Sequence, residues 1–164
     1  MQILQHDEIL TRIKRLAIEI LENNLEEKEI ILAGINTSGY VFAGLLYKAL
    51  KKKNLVPVSL TKITINPAQP LLHSIETEKD VTFYDGKSII VIDDVANTGR
   101  TIFYACKPFM AVLPKKIEVA VLVDRSHKSF PIKVDYKGLS LATTFQEHIK
   151  ANLTDLNNIS VEIH

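Results

Sequence analysis

The chain holds one cysteine, Cys106, so no intrachain disulfide can form and no thiolate-rich metal site can be assembled. That fits a reducing compartment, and a cytoplasmic location is the expectation. No apolar run is long enough to cross a bilayer, so no membrane partner is expected. The first residues, MQILQHDEIL, lack the basic segment and long apolar stretch of a signal peptide. Neither sign of charge is in excess. Twenty Lys+Arg against 19 Asp+Glu leave a net charge of +1, which excludes a global pull toward nucleic acid or membrane. Arginine is scarce: only Arg12, Arg15, Arg100 and Arg125 occur. The five histidines show no metal-ligand spacing. Internal repeats, low-complexity tracts and domain linkers are lacking too. What remains is an ordinary globular composition, 46% hydrophobic and 24% charged, over 164 residues. One domain, residues 1–164, with one core is the expectation.

Helical and strand patterns alternate along the chain. Ile9, Ile13, Leu16, Ala17, Ile20 and Leu21 fall on one helical face, with Asp7 available as N-cap and Asn23-Asn24 as the stop. EIILAGI (Glu29 to Ile35) reads as a buried strand, NTSG (Asn36 to Gly39) as a turn, and the segment from Tyr40 to Asn54 as a helix. Lys51 to Lys53 suit a solvated last turn, where cations complement the helix dipole. LVPVSLTKITI (Leu55 to Ile65) is strand-like, with Pro57 placing its start at an edge or bulge. Asn66 to Lys87 is mostly polar and long for a compact domain, and reads as a mobile lid that can contain a hairpin.

After the apolar run from Ile89, RTIFYACKPFMAVL should be helical. Pro108 costs about 3 kcal/mol in a helix interior unless the helix kinks or restarts there. Ile117 to Asp124 is another buried strand, and strand-like pieces follow near Lys133 to Leu141 and at ISVEI. This alternation predicts an α/β fold with a doubly wound parallel sheet. Such folds bind ligands beyond the carboxyl ends of their strands. There NTSG, DDVANTGRT and DRSH converge.

IIVIDDVANTGRT, Ile89 to Thr101, concentrates the chemistry. As a plain strand-to-helix connection, Gly99 permits the tight turn and Asn97 or Thr98 caps the next helix. That leaves two successive acids, Asp93 and Asp94, unexplained, since neighbouring strand residues point to opposite faces. Functionally, backbone N–H groups around Gly99 make a phosphate cradle, with Thr98 and Thr101 as added donors. Arg100 either adds charge or faces solvent. Carboxylates repel a phosphate, but they accept hydrogen bonds from a vicinal diol. A ribose 5-phosphate supplies both groups.

VIDDVANTGRT resembles the phosphoribosyl diphosphate (PRPP) signature of type I phosphoribosyltransferases. That resemblance implies a parallel sheet flanked by helices, with a small hood over the base site. It assigns the ribose hydroxyls to Asp93 and Asp94, the catalytic pair, and the 5-phosphate to the loop Ala96, Asn97, Thr98, Gly99, Arg100 and Thr101. Mg2+ is the implied cofactor, held mainly through pyrophosphate and ribose oxygens. LTRIKRLAIEILENN, ILAGINTSGYVFAGLL and especially LVDRSHKSFPIKVDYKG are similar to the PyrR subfamily. Its members regulate pyrimidine-operon RNA and carry uracil phosphoribosyltransferase activity. The implied partners are PRPP and a nucleobase, with uracil first, an RNA hairpin second, and a further copy of the chain in a homodimer or larger homo-oligomer.

Thr37, Ser38 and Gly39 match the family's pyrophosphate loop, with Ser38 where PyrR members usually carry arginine. The lid lacks arginine as well, and lysine does not reproduce bidentate phosphate binding. Weak PRPP affinity or turnover is therefore one expectation, and a nucleotide sensor without turnover is a further reading. Asn97 stands where 6-oxopurine enzymes commonly carry aspartate, which disfavours guanine and hypoxanthine without selecting uracil. For the base, the resemblance points to Asp124 and Arg125. Phe145 reads either as a ring stacked on the base or as a small core residue. Lys14, Arg15 and Lys133 are the candidates for an RNA-facing surface, or plain solubilising charges.

Overall fold

The computed structural model describes residues 1–142 and 146–164. A six-stranded sheet carries the fold. Its strands are β2 (Ile30–Ile35), β3 (Val58–Thr64), β4 (Glu76–Thr77), β5 (Ser88–Ala96), β6 (Lys116–Arg125) and β7 (Tyr136–Leu141), in the order β4-β3-β2-β5-β6-β7. All neighbours pair in parallel except β3 and β4, which form a short antiparallel hairpin with Ile63 opposite Thr77.

β2 is buried along its whole length, and Ile30, Ile31 and Leu32 are fully enclosed. Burying each such side chain contributes about 1.5–3 kcal/mol, which is why this run lies mid-sheet. Alternation sends Ile30, Leu32, Ile90 and Ile92 to one face and Ile31, Ala33, Ile89 and Val91 to the other. The first face is covered by α1 (His6–Asn24) and α2 (Asn36–Lys53). The second is covered by α3 (Arg100–Ala105) and the 3-10 segments Val81–Tyr84 and Lys107–Ala111. The doubly wound α/β fold expected from the alternation is therefore the one adopted.

A second, antiparallel sheet forms the hood. β1 (Gln2–Leu4), β9 (Ser160–Ile163) and β8 (Ile149–Asn152) lie in the order β1-β9-β8. Leu4, Ile149, Leu153, Ile159 and Val161 join the core beside α1, so the hood shares the main hydrophobic interior.

Several local expectations change. Asp7 lies inside α1, and Glu8 accepts from the Gln5 N–H at 2.8 Å to close the helix start. NTSG is the first turn of α2 rather than a separate loop. Pro57 precedes β3 and accepts from the Ile30 N–H at 2.9 Å through its carbonyl, so the strand begins only at Val58. The helix after β5 ends at Ala105 and restarts as a 3-10 turn containing Pro108, which avoids the interior clash.

Candidate active site

β5 carries the two acids to the carboxyl rim of the sheet. Its alternation separates them. Asp93 lines both the recess of the loop 96–101 and the main cleft, whereas Asp94 lines the main cleft alone. Each is half-buried and takes one hydrogen bond from the next backbone N–H, Asp93 from Asp94 and Asp94 from Val95, both at 2.9 Å. Among the described residues neither acid has an ion-pair partner. Burial, then the charge and side-chain hydrogen bond of Asp94, hold the Asp93 carboxyl well above the usual carboxylate range. The pair thus stores a demand for hydroxyl donors or positive charge.

The start of α2 abuts this pair. Gly39 is buried, and a Cβ there would stand 2.7 Å from the Ile92 carbonyl oxygen and 3.2 Å from Asp93 Oδ1. Only glycine lets the helix come this close. Asn36 opens the helix at φ 51, a left-handed conformation that asparagine tolerates better than most residues. Its side chain donates to the Ile65 carbonyl at 2.9 Å and accepts from the Ile65 N–H at 3.0 Å, pinning α2 to the end of β3. No side chain caps α2 and no acid lies in its first turn, while Thr37 and Ser38 are exposed. Those first N–H groups lack intrahelical acceptors and suit an anion.

The loop after β5 turns at Gly99, φ 87. Ala96 to Thr101 surround a recess of about 50 Å³. The helix that follows has only six residues, so donors of the loop itself, more than a helix dipole, must hold any anion there. The connection from β6 to β7 props the loop. Ser129 and Phe130 donate through their N–H groups to the Thr98 carbonyl at 3.0 and 3.2 Å, and Ile132 Cβ lies 3.1 Å from where a Gly99 Cβ would be. Arg100 turns elsewhere: its guanidinium donates to the Pro67 and Ala68 carbonyls at 2.7 and 3.4 Å. It ties down the start of the long loop.

The main cleft, about 490 Å³, brings together Thr37, Ser38, Asp93, Asp94, Asn97 and Thr101 from the rim. The hood closes it with His148, Ile149, Lys150 and Ala151. Sequence reasoning missed this wall, because β8 is four residues long with no clear alternation. Asp124 and Arg125 are not among the residues that line the cleft. Asp124 is buried and pairs with Lys128 at 2.6 Å and Lys137 at 3.6 Å. Arg125 donates to Asn97 Oδ1 at 3.2 Å. Phe145 lies outside the described residues.

The description "phosphoribosyl transferase domain" fits residues 1–154, and the chain belongs to that family. Within it, the chain is a relative of the proteins named bifunctional protein PyrR. The one from Halalkalibacterium halodurans is 34% identical over 169 aligned residues, spanning 96% of this chain and 92% of its own. That of Enterococcus faecalis is 38% identical over 144 residues, spanning 82% and 79%. Among solved structures, the hypoxanthine phosphoribosyltransferase of Trypanosoma cruzi superposes with a TM-score of 0.77 at 20% identity, covering 98% of this chain and 94% of that one. A hypoxanthine-guanine phosphoribosyltransferase of Bacillus anthracis gives 0.72 at 22% identity, covering 88% and 84%. At such identities the likeness speaks for the fold, not for the base. No helix among the described residues is long and apolar enough to cross a membrane.

Proposed function

We propose that the chain is an enzyme that binds PRPP and transfers its 5-phosphoribosyl group to uracil, giving UMP and pyrophosphate. The carrying observation is that two carboxylates without an ion-pair partner among the described residues share one cleft with the uncapped start of α2, beside the adjoining recess of the loop 96–101. A diol flanked by a phosphate on one side and a pyrophosphate on the other satisfies all of them at once.

In this reading Asp93 and Asp94 accept from the ribose hydroxyls and offset positive charge developing at the anomeric carbon. Ala96 to Thr101 hold the 5-phosphate. Thr37 to Gly39 receive the leaving pyrophosphate. N1 of uracil forms the new bond to the anomeric carbon as the bond to pyrophosphate oxygen breaks; the electron pair of that bond leaves with pyrophosphate, and the N1 proton passes to solvent or to the departing pyrophosphate. No side chain of the cleft stands out as a general base, so positioning and electrostatics carry the rate.

The residues fit Mg2+ as cofactor. Two unpaired carboxylates in a partly enclosed site welcome a divalent cation, while no group of three or more metal-ligating side chains occurs among the described residues. Asp93 and Asp94 would share the ion with oxygens of PRPP, and Mg2+ would screen the charge of the pyrophosphate.

Uracil is favoured by the kinship to PyrR proteins; Asn97, whose side-chain oxygen accepts from Arg125, leans against hypoxanthine and guanine without selecting uracil. With PRPP and Mg2+, uracil should yield UMP faster than hypoxanthine, guanine or adenine. Purine turnover with inert uracil would sink the assignment, and PRPP binding without turnover on any base would make the chain a sensor.

A second reading, an RNA-binding attenuator of pyrimidine genes, rests on the same kinship. Its candidate surface is partly committed. Arg15 donates to the Gly138 carbonyl at 3.0 Å and pairs with Glu19 at 3.5 Å, and Lys133 lies 3.9 Å from Asp135. Salt-dependent binding to pyrimidine leader hairpins, but not to unrelated hairpins, would support it. Equal binding to both would remove it.

A further inference from the structure

The rim of the sheet leaves the cleft short of positive charge. Arg100 is held by the Pro67 and Ala68 carbonyls. Lys128 and Lys137 serve Asp124, and Arg125 meets Asn97. Ser38, at the start of α2, is neutral. Yet the cleft already contains Asp93 and Asp94, and a phosphoribosyl donor would add a pyrophosphate.

Lys150 is the single lysine or arginine among the described residues that line the main cleft. It stands on β8 of the hood, next to Ile149, which is buried in the core at 5% exposure. Strand alternation therefore turns Lys150 away from the core. Its cross-strand neighbour is Glu162, whose carboxylate lies 3.4 Å from His164. Among the described residues Lys150 makes no ion pair. Lys150, with no ion-pair partner among the described residues, thus lines the same cleft as the bare first turn of α2, where an anion is short of a counter-charge.

We infer that Lys150 is the positive group that binds the pyrophosphate end of the donor, taking from the hood the role that Ser38 does not fill from the rim. The assignment rests on the PRPP reading above. An ammonium is a point charge on a flexible stem and needs no fixed fork geometry, so it can act across the cleft.

The experiment is calorimetric titration of the wild type, Lys150→Gln and Lys150→Arg with PRPP and, separately, with UMP, all with Mg2+. Loss of one charge-assisted contact should weaken PRPP about tenfold or more in Lys150→Gln. UMP, which carries no pyrophosphate, should change far less, and Lys150→Arg should stay close to wild type. Lys150 is exposed, so thermal melting of both variants should match the wild type and exclude misfolding as the cause. Unchanged PRPP binding in Lys150→Gln, or equal losses for PRPP and UMP, overturns the assignment while leaving the donor reading intact. A wild type that binds no PRPP overturns both.

Discussion

Gly39 and Asp93 are in direct apposition: a Cβ on the glycine would lie 3.2 Å from the Asp93 carboxylate and 2.7 Å from the neighbouring Ile92 carbonyl oxygen. The backbone oxygen cannot yield as a flexible side chain would. Gly39→Ala should therefore push the first turn of α2 off the end of β5, at a cost of about 1–3 kcal/mol in stability. Binding of PRPP should suffer beyond that, because the turn and the acid pair no longer face one ligand. Urea denaturation and titration with PRPP check the two effects. Wild-type affinity in the folded variant would contradict the closeness assigned to this contact.

Asp93 gives a pH signature. Unfolded, its carboxyl ionises near pH 4. Folded, burial and the neighbouring Asp94 hold it protonated to higher pH. The folded state then binds more protons, so this group stabilises fully below the unfolded pKa. Its contribution is lost as pH rises through the folded value. Asp93→Asn should remove that slope and stabilise the ligand-free protein at neutral pH by about 0.5–2 kcal/mol, while weakening PRPP binding. Melting curves across pH with and without the substitution decide it. A less stable variant at neutral pH would refute the assigned strain.

Arg100 is a loop tether in this structure, since it spends its guanidinium on the Pro67 and Ala68 carbonyls. Leu71 and Leu72 follow closely and are exposed at 65% and 57%. Arg100→Ala should speed chymotryptic cleavage near these leucines, with global stability changed by less than about 0.5 kcal/mol. Limited proteolysis followed by mass analysis of the fragments reads this directly. If cleavage is unchanged while the KM for PRPP rises, Arg100 belongs to the phosphate site instead.

Local features were legible in the sequence and distant pairings were not. β2, β5 and β6 announce themselves as apolar runs because both of their faces are covered. The loop proposed to hold the 5-phosphate is readable because its groups lie within six consecutive residues, Ala96 to Thr101. Asn36 gave no such signal: its partner, Ile65, is 29 residues away, and the helix start it fixes looked like a turn. For Asp124 the resemblance points to the base, while its ion pairs could not be foreseen. Its true surroundings depend on Lys137 in the adjacent strand and on Lys128 folding back, which periodicity does not encode. The hood is expected from the resemblance, but its strand pairing could not be read for the same reason. Its strands β1 and β9 lie at opposite ends of the chain, and only the closed fold pairs Leu4 with Val161.

The hood also divides the cleft into walls of separate origin. The rim is fixed by the register of β2, β5 and β6, where a slipped residue would turn a core side chain to the wrong face. Among the described residues β8 pairs only with β9, in a small antiparallel sheet, and presents His148 and Lys150 from outside that register. Substitutions at its exposed positions, His148 and Lys150, leave the register of the other wall alone, whereas Ile149 belongs to the shared core. A lineage can therefore diversify one half of its binding chamber while inheriting the other half unchanged.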